Sequence, residues 1–198
     1  MVIEIISRLN KPTLILAPTI TIKNQWKQRI SDAFLNGEED IVSTNIRNPK
    51  YITIITYQAL LAAFCGVEDI EAEETSEEDD EVERTVCKRF SNTKANQIVN
   101  ILKNSGIKIL CFDEAHHLRK EWWKALDYLV DNLEPEQTVA LTATPPYDVD
   151  IKEWERYEQL CGQIDEIISI PELVKNGDLC PHQDFIHFSR LRVQETEH

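Results

Sequence analysis

The sequence predicts an α/β fold built on a mostly parallel sheet, and three observations carry that prediction. Short runs of aliphatic and β-branched residues recur along the 198 residues. Stretches with apolar residues three to four apart separate them, the pattern of helical crossovers between parallel strands. Acidic or hydroxyl residues stand directly after several runs, where the carboxyl ends of strands in an open α/β sheet build ligand sites.

Taken in order, Val2 to Leu9 reads as the last turns of a helix, and Thr13 to Ala17 is the first strand. Ile22 to Phe34 has helical spacing, and Ile52 to Ile55 is a second strand followed by a helix from Tyr57 to Phe64. These strand runs lack the polar alternation of a sheet with one wet face, so they fit strands buried on both faces. Asn92 to Lys103 forms the next helix, with Ser91 or Asn92 as its cap and Ser105-Gly106 as its stop. Ile107 to Phe112 is a third strand, Trp122 to Val130 a helix, and Gln137 to Leu141 a fourth strand. Beyond Ile151 the signal weakens: Glu153 to Leu160 reads as a helix, and Ser169-Ile170-Pro171-Glu172 opens a short one that Asn176-Gly177 closes. Asp184 to Val193 alternates like a strand, and Gln194 to His198 reads as a frayed end.

The length suits one domain, residues 1–198, and no apolar run approaches the roughly 18 residues that cross a bilayer. A cytoplasmic, intracellular protein without a membrane partner is expected, and association with the nucleoid is compatible with it. Five cysteines, Cys65, Cys87, Cys111, Cys161 and Cys180, are scattered without a C-x-x-C pair, so they read as buried free thiols. Cys180-Pro181-His182 offers two metal ligands and no visible third or fourth.

The formal charge of -14 argues against nucleic acid, whose affinity comes largely from Lys and Arg on phosphates. The segment Val67 to Glu83 changes that, since it holds eleven acids and no Lys or Arg and leaves only -3 for the rest. Such a run reads as a disordered, solvated insertion. The sharper reading is a mimic of nucleic acid that closes the binding face.

The chemistry is concentrated in Asp113-Glu114-Ala115-His116, directly after an apolar strand. An Asp at a strand end can hold magnesium, mostly through water, while an adjacent carboxylate orients and deprotonates an attacking water. Four specified residues arise by chance in roughly one chain per thousand of this length, so the box is informative. The plain alternative is that the two acids cap the next helix and His116 packs beneath it. A metal-dependent hydrolase on Asp113, Glu114, His116 and His117 is a further alternative, although the spacing is not the helical His pair of zinc proteases. A second strand ends in Thr142-Ala143-Thr144-Pro145, which alone would be a strand stopped by proline.

With both segments present, the chain resembles the first RecA-like domain of superfamily 2 helicases, in the branch of XPB-like repair helicases and of type I and III restriction enzyme motors. The resemblance implies a three-layer RecA-like sandwich with a mostly parallel sheet. It makes Asp113, Glu114, Ala115 and His116 motif II: Asp113 would coordinate magnesium through water, Glu114 would activate water, and His116 would link the nucleotide site to motif III. Motif III corresponds to Thr142, Ala143 and Thr144, which would couple nucleotide state to the nucleic-acid face. Leu14 to Thr19 with Asn24-Gln25-Trp26 resembles motif Ia, and Ile54 to Leu60 resembles motif Ib. Pro18, Thr19 and Thr56 would then contact the sugar-phosphate backbone. A strand end and the exposed amides of a helix start can do this without net positive charge. Lys23, Lys27 and Arg29 can add local charge or form a solvated helix face, and Trp26 reads as core rather than as a base-stacking platform. The segment Ile170 to Pro181 resembles the one that leads toward the second motor domain.

One part is missing. A phosphate-binding loop, G-x-x-x-x-G-K-[ST], needs glycines for its turn and a Lys for the phosphates. None of Gly37, Gly66, Gly106, Gly162 and Gly177 is followed by Lys and a hydroxyl. The expectation is a piece of a motor lacking the P-loop strand, with ATP and Mg2+ as cofactors of the parent and none held tightly here. DNA or RNA and the second RecA-like domain in cis are the partners of the parent, and the piece alone is expected to be inactive. A sheet without that strand is expected to reorganise or to self-associate with another copy. The alternative function is a non-catalytic module that binds nucleic acid or protein on a degenerate motor fold.

Overall fold

The computed structural model describes residues 2–34, 41–67, 90–118, 120–147 and 149–181. The acidic run beyond Val67, the strand expected over Asp184 to Val193, the end from Gln194, Cys87, His182 and the His117 side chain lie outside the described residues. The chain divides into two compact units, Met1–Gly162 and Gln163–His198, each described by itself.

The first unit is an open, five-stranded, all-parallel sheet in the order β2-β3-β1-β4-β5. Its strands are β1 (Thr13–Ala17), β2 (Val42–Ser43), β3 (Ile52–Thr56), β4 (Ile109–Phe112) and β5 (Gln137–Ala140). The helices are α1 (Val2–Leu9), α2 (Ile20–Phe34), α3 (Tyr57–Cys65), α4 (Asn92–Asn104), α5 (Lys120–Leu133) and α6 (Ile151–Cys161). The four expected strands that fall within the described residues form, as β1, β3, β4 and β5. The two-residue β2 was not anticipated, because an edge strand that short has no periodicity to read.

Alternation along the strands sorts side chains into two faces. Leu14, Leu16, Leu110 and Phe112 join residues of α3, α4 and α5 in one core, while Ile15, Ile54 and Cys111 join Ile6 of α1 and Ile30 of α2 in the other. β1, β3 and β4 are buried throughout, whereas β5 is half-buried to exposed. This three-layer arrangement is the RecA-like fold expected, with a sheet of regular parallel register.

The order of the strands locates the site. From β1 the chain passes through α2 to the β2 and β3 side of the sheet; from β4 it passes through α5 to β5 on the other side. Successive connections leave neighbouring strands in opposite directions at β1 and β4, which opens a crevice at their carboxyl ends. Asp113 is the first residue after β4.

In the second unit, α7 (Ile170–Asn176) begins as expected, with Ser169 as N-cap and Pro171 in the first turn, and ends at Gly177 in the left-handed conformation.

Candidate functional site

Because every strand is parallel, Pro18 and Thr19 after β1, Thr56 at the end of β3, Asp113 and Glu114 after β4, and Thr142 to Thr144 after β5 all lie along one edge of the sheet. Two of these residues start helices. The Thr19 hydroxyl accepts from the Ile22 amide at 3.2 Å, and the Thr56 hydroxyl accepts from the Ala59 amide at 3.1 Å. Thr19 is half-buried, but Thr56 is only 5% exposed, so its hydroxyl serves the first turn of α3 with little surface to offer a ligand.

The turn after β4 is fastened by backbone bonds on both sides. The Asp113 amide donates to Leu16 of β1 at 2.9 Å, and the Ala115 amide donates to Leu141 after β5 at 2.9 Å. Between them Glu114 adopts φ 51° and ψ 48°, a left-handed conformation that costs a non-glycine residue about 1–3 kcal/mol and persists where the surroundings dictate it. A 310 turn, Ala115–His117, follows, and the Glu114 side chain makes no capping bond to it. Glu114 therefore does not cap this turn through its side chain.

Asp113 is half-buried, and its Oδ2 accepts from Trp26 Nε1 at 2.5 Å. The Tyr57 hydroxyl donates to the Asp113 main-chain carbonyl at 2.9 Å. Trp26 does pack in the second core, as its apolar character suggested, yet its polar end reaches the site.

Glu114 Oε2 is buried and accepts no hydrogen bond from the described residues. His116 Nδ1 lies 3.4 Å from that oxygen and 2.8 Å from Thr142 Oγ1. Thr142 Oγ1 in turn accepts from the Thr144 amide at 3.2 Å. The box and the Thr-Ala-Thr segment are thus in contact, through His116. Ala143 and Thr144 are exposed.

A cleft of about 450 Å³ opens on the α2 side, with Asp113, Glu114, Gln25, Trp26, Arg29 and Leu141 among its walls. Another of about 330 Å³ borders His116 on the opposite side of the turn, with Trp123, Arg156 and Tyr157 in its lining. Tyr147, Trp154 and Tyr157 stack beside it, at centroid separations of 5.4 and 5.8 Å.

Burial decides the titrating groups nearby. It pushes the Tyr157 phenol up to about 12, with the Cys161 thiol as the next contributor, and pushes Cys161 itself to about 12. Tyr57 and Cys111 are raised by the same cause. All four stay neutral over the ordinary pH range. Of the cysteines described, only Cys111 is fully buried; Cys65 and Cys161 are half-buried and Cys180 is exposed, which corrects the expectation of buried thiols throughout.

Residues 1–147 match the family model of the type III restriction enzyme res subunit. The chain belongs to this family. It is also similar to the DNA 3'-5' translocase XPB2 of Sulfurisphaera tokodaii, with 29% identity over 171 residues that make up 86% of this chain. The chain spans 29% of that relative's length. Membership in this family agrees with the RecA-like sheet and with a helicase- or translocase-type motor domain.

The donor set suits magnesium better than a metal held by the protein alone. Magnesium takes oxygen ligands and is usually bound by one or two carboxylates, with water and phosphates completing its shell. Asp113 and Glu114 supply carboxylates at the cleft. Among the described residues no cluster of three or more His, Cys, Asp or Glu could hold a metal. Among the described residues no helix is long and apolar enough to cross a membrane.

Proposed function

We propose that this chain carries the magnesium- and water-handling half of an ATP-driven nucleic-acid helicase or translocase. One observation carries the reading: a carboxylate oxygen of Glu114 is buried without a hydrogen-bond donor among the described residues, with His116 Nδ1 3.4 Å away, beside Asp113, at the crevice where the strand order reverses. A buried acceptor left unsatisfied costs about 1–3 kcal/mol. Retaining it suits a group that waits for a proton-bearing partner.

In this reading the Asp113 carboxylate would hold magnesium, and Glu114 Oε2 would orient a water molecule and receive its proton. Magnesium, when bound, supplies charge neutralisation for the phosphates. His116 holds the box against Thr142, so that a shift at the acids reaches Thr142 to Thr144 and from there the nucleic-acid edge. Pro18 and Thr19 meet the sugar-phosphate backbone with the first turn of α2, and Thr56 acts by holding the start of α3. DNA or RNA, ATP and a second RecA-like domain are the partners of the complete motor.

The phosphate-cradling loop is not in the sequence, so the 198-residue chain is expected to show no Mg2+-dependent ATP hydrolysis, with or without single-stranded DNA. Turnover that disappears in Glu114→Gln would overturn the requirement for that loop. The absence of the motif also favours a second reading, a binding module on the same fold. Single-stranded DNA bound tightly, with an affinity indifferent to Mg2+ and to Asp113→Ala, would favour that module.

Among the described residues the edge strand β5 pairs only with β4, so self-association of this chain remains part of the proposal. A monodisperse monomer by light scattering would count against it.

A further inference from the structure

Two hydrogen bonds converge on Asp113 from α2 and α3, the helices that Thr19 and Thr56 start. Trp26 of α2 donates to Oδ2 at 2.5 Å, across 87 positions of sequence. Tyr57, the first residue of α3, donates to the main-chain carbonyl at 2.9 Å, across 56 positions. Thr19 caps the helix that carries Trp26, and Thr56 caps the helix that carries Tyr57.

Both donors are held firmly. Trp26 packs with the apolar core between α2 and the sheet. Tyr57 is 1% exposed and stacks on Trp122, with centroids 5.2 Å apart and planes 14° apart. A rigid ring with one polar atom transmits position well, because its buried body fixes where the donor points. On the accepting side, an ionised carboxylate offers about four lone-pair sites. The indole takes one of them on Oδ2.

We propose that Trp26 and Tyr57 are positioning residues for Asp113, setting the direction of its carboxylate and tying it to α2, whose start is the proposed nucleic-acid contact, and to α3, whose start Thr56 caps. The inference rests on the reading of Asp113 as the magnesium carboxylate. Hydrogen-bond partners outside a metal's ligand set orient the ligands, and losing one typically weakens metal binding about 10- to 100-fold. Here the partner sits on a second binding element. A phosphate that shifts the first turn of α2 would move Trp26 and thereby alter Asp113, and by reciprocity metal at Asp113 would alter the nucleic-acid affinity by the same factor.

The 15N-labelled chain tests this with Mn2+ alone as the metal probe. The indole resonance of Trp26, identified by its disappearance in Trp26→Phe, is expected to move upfield in Asp113→Ala, since a charge-assisted bond holds it downfield. Mn2+ is expected to broaden resonances around Asp113, with an affinity about tenfold weaker in Trp26→Phe. Tyr57→Phe should weaken it less, because its bond goes to the main chain. A single-stranded thymidine oligonucleotide is expected to shift the Trp26 indole resonance. An indole resonance unmoved by Asp113→Ala, which needs no change at Trp26, overturns the inference, as does unchanged Mn2+ affinity in Trp26→Phe. An oligonucleotide that binds yet leaves the indole unmoved overturns the tie to α2. If Mn2+ does not broaden the Asp113 region of the unmutated chain, the magnesium reading itself fails and takes the inference with it.

Discussion

The Thr142 hydroxyl meets His116 Nδ1 at 2.8 Å, joining the loop after β5 to the turn after β4. The same hydroxyl also accepts from the Thr144 amide. Thr142→Val keeps the shape of the side chain and removes these bonds, leaving part-buried polar groups without it. A net hydrogen bond contributes about 0.5–1.5 kcal/mol, so a loss of about 1–2 kcal/mol is expected. Urea unfolding followed by circular dichroism measures it, and an unchanged midpoint would mean that Thr142 does not brace His116.

Alkaline pH should destabilise the fold. Tyr157 and Cys161 are each raised to about 12 by burial, from ordinary values of 10.0 and 9.0. Above about pH 9 the unfolded chain begins to release these protons while the folded chain keeps them, so the unfolded state binds fewer protons and stability falls as pH rises. Below the ordinary values both states are protonated and these groups contribute no slope. Urea midpoints are therefore expected to be level from these groups up to about pH 8 and to fall between pH 9 and 11. Cys161→Ser should shallow that fall, because a serine hydroxyl does not titrate there.

The contrast between what the sequence revealed and what it hid follows from how far apart the contacting residues lie. β1 and the start of β3 were legible because a strand buried on both faces needs an uninterrupted apolar run. Helix ends were less so: α5 spans Lys120–Leu133, wider than its apolar core suggests, because polar residues can extend a helix once packing has nucleated it. Asp113, Glu114 and His116 stood out through adjacency within a strand-ending motif. Trp26 and Tyr57 did not, although Trp26 lies two helical turns from Thr19 and Tyr57 directly follows Thr56. Their side chains looked like core residues, and their polar atoms acquire partners only when distant strands come together.

Capping at Thr56 can be measured separately from any ligand. Its extended backbone, φ -89° and ψ 158°, and its bond to the Ala59 amide make it the N-cap of α3. Thr56→Ala should cost about 1 kcal/mol, and Thr56→Ser should recover most of it. Equal stability of the alanine and serine variants would assign the loss to the missing methyl group instead of the cap.

Glu114 should be a residue that function keeps at the expense of stability. Its φ of 51° lies where asparagine is tolerated better than glutamate, and its Oε2 is a buried acceptor without a donor among the described residues. Glu114→Asn relieves the backbone and removes the buried carboxylate oxygen in one step. A gain of about 1 kcal/mol in unfolding free energy is expected, within the range for strain of this type. Glu114→Gln keeps the length and the backbone preference while removing only the charge, so it separates the two contributions: a gain confined to Asn comes from the backbone, and a gain shared with Gln comes from the carboxylate. A lower urea midpoint in both variants would show that the carboxylate stabilises the turn, and the argument that it is held ready for a reacting water would lose its physical basis.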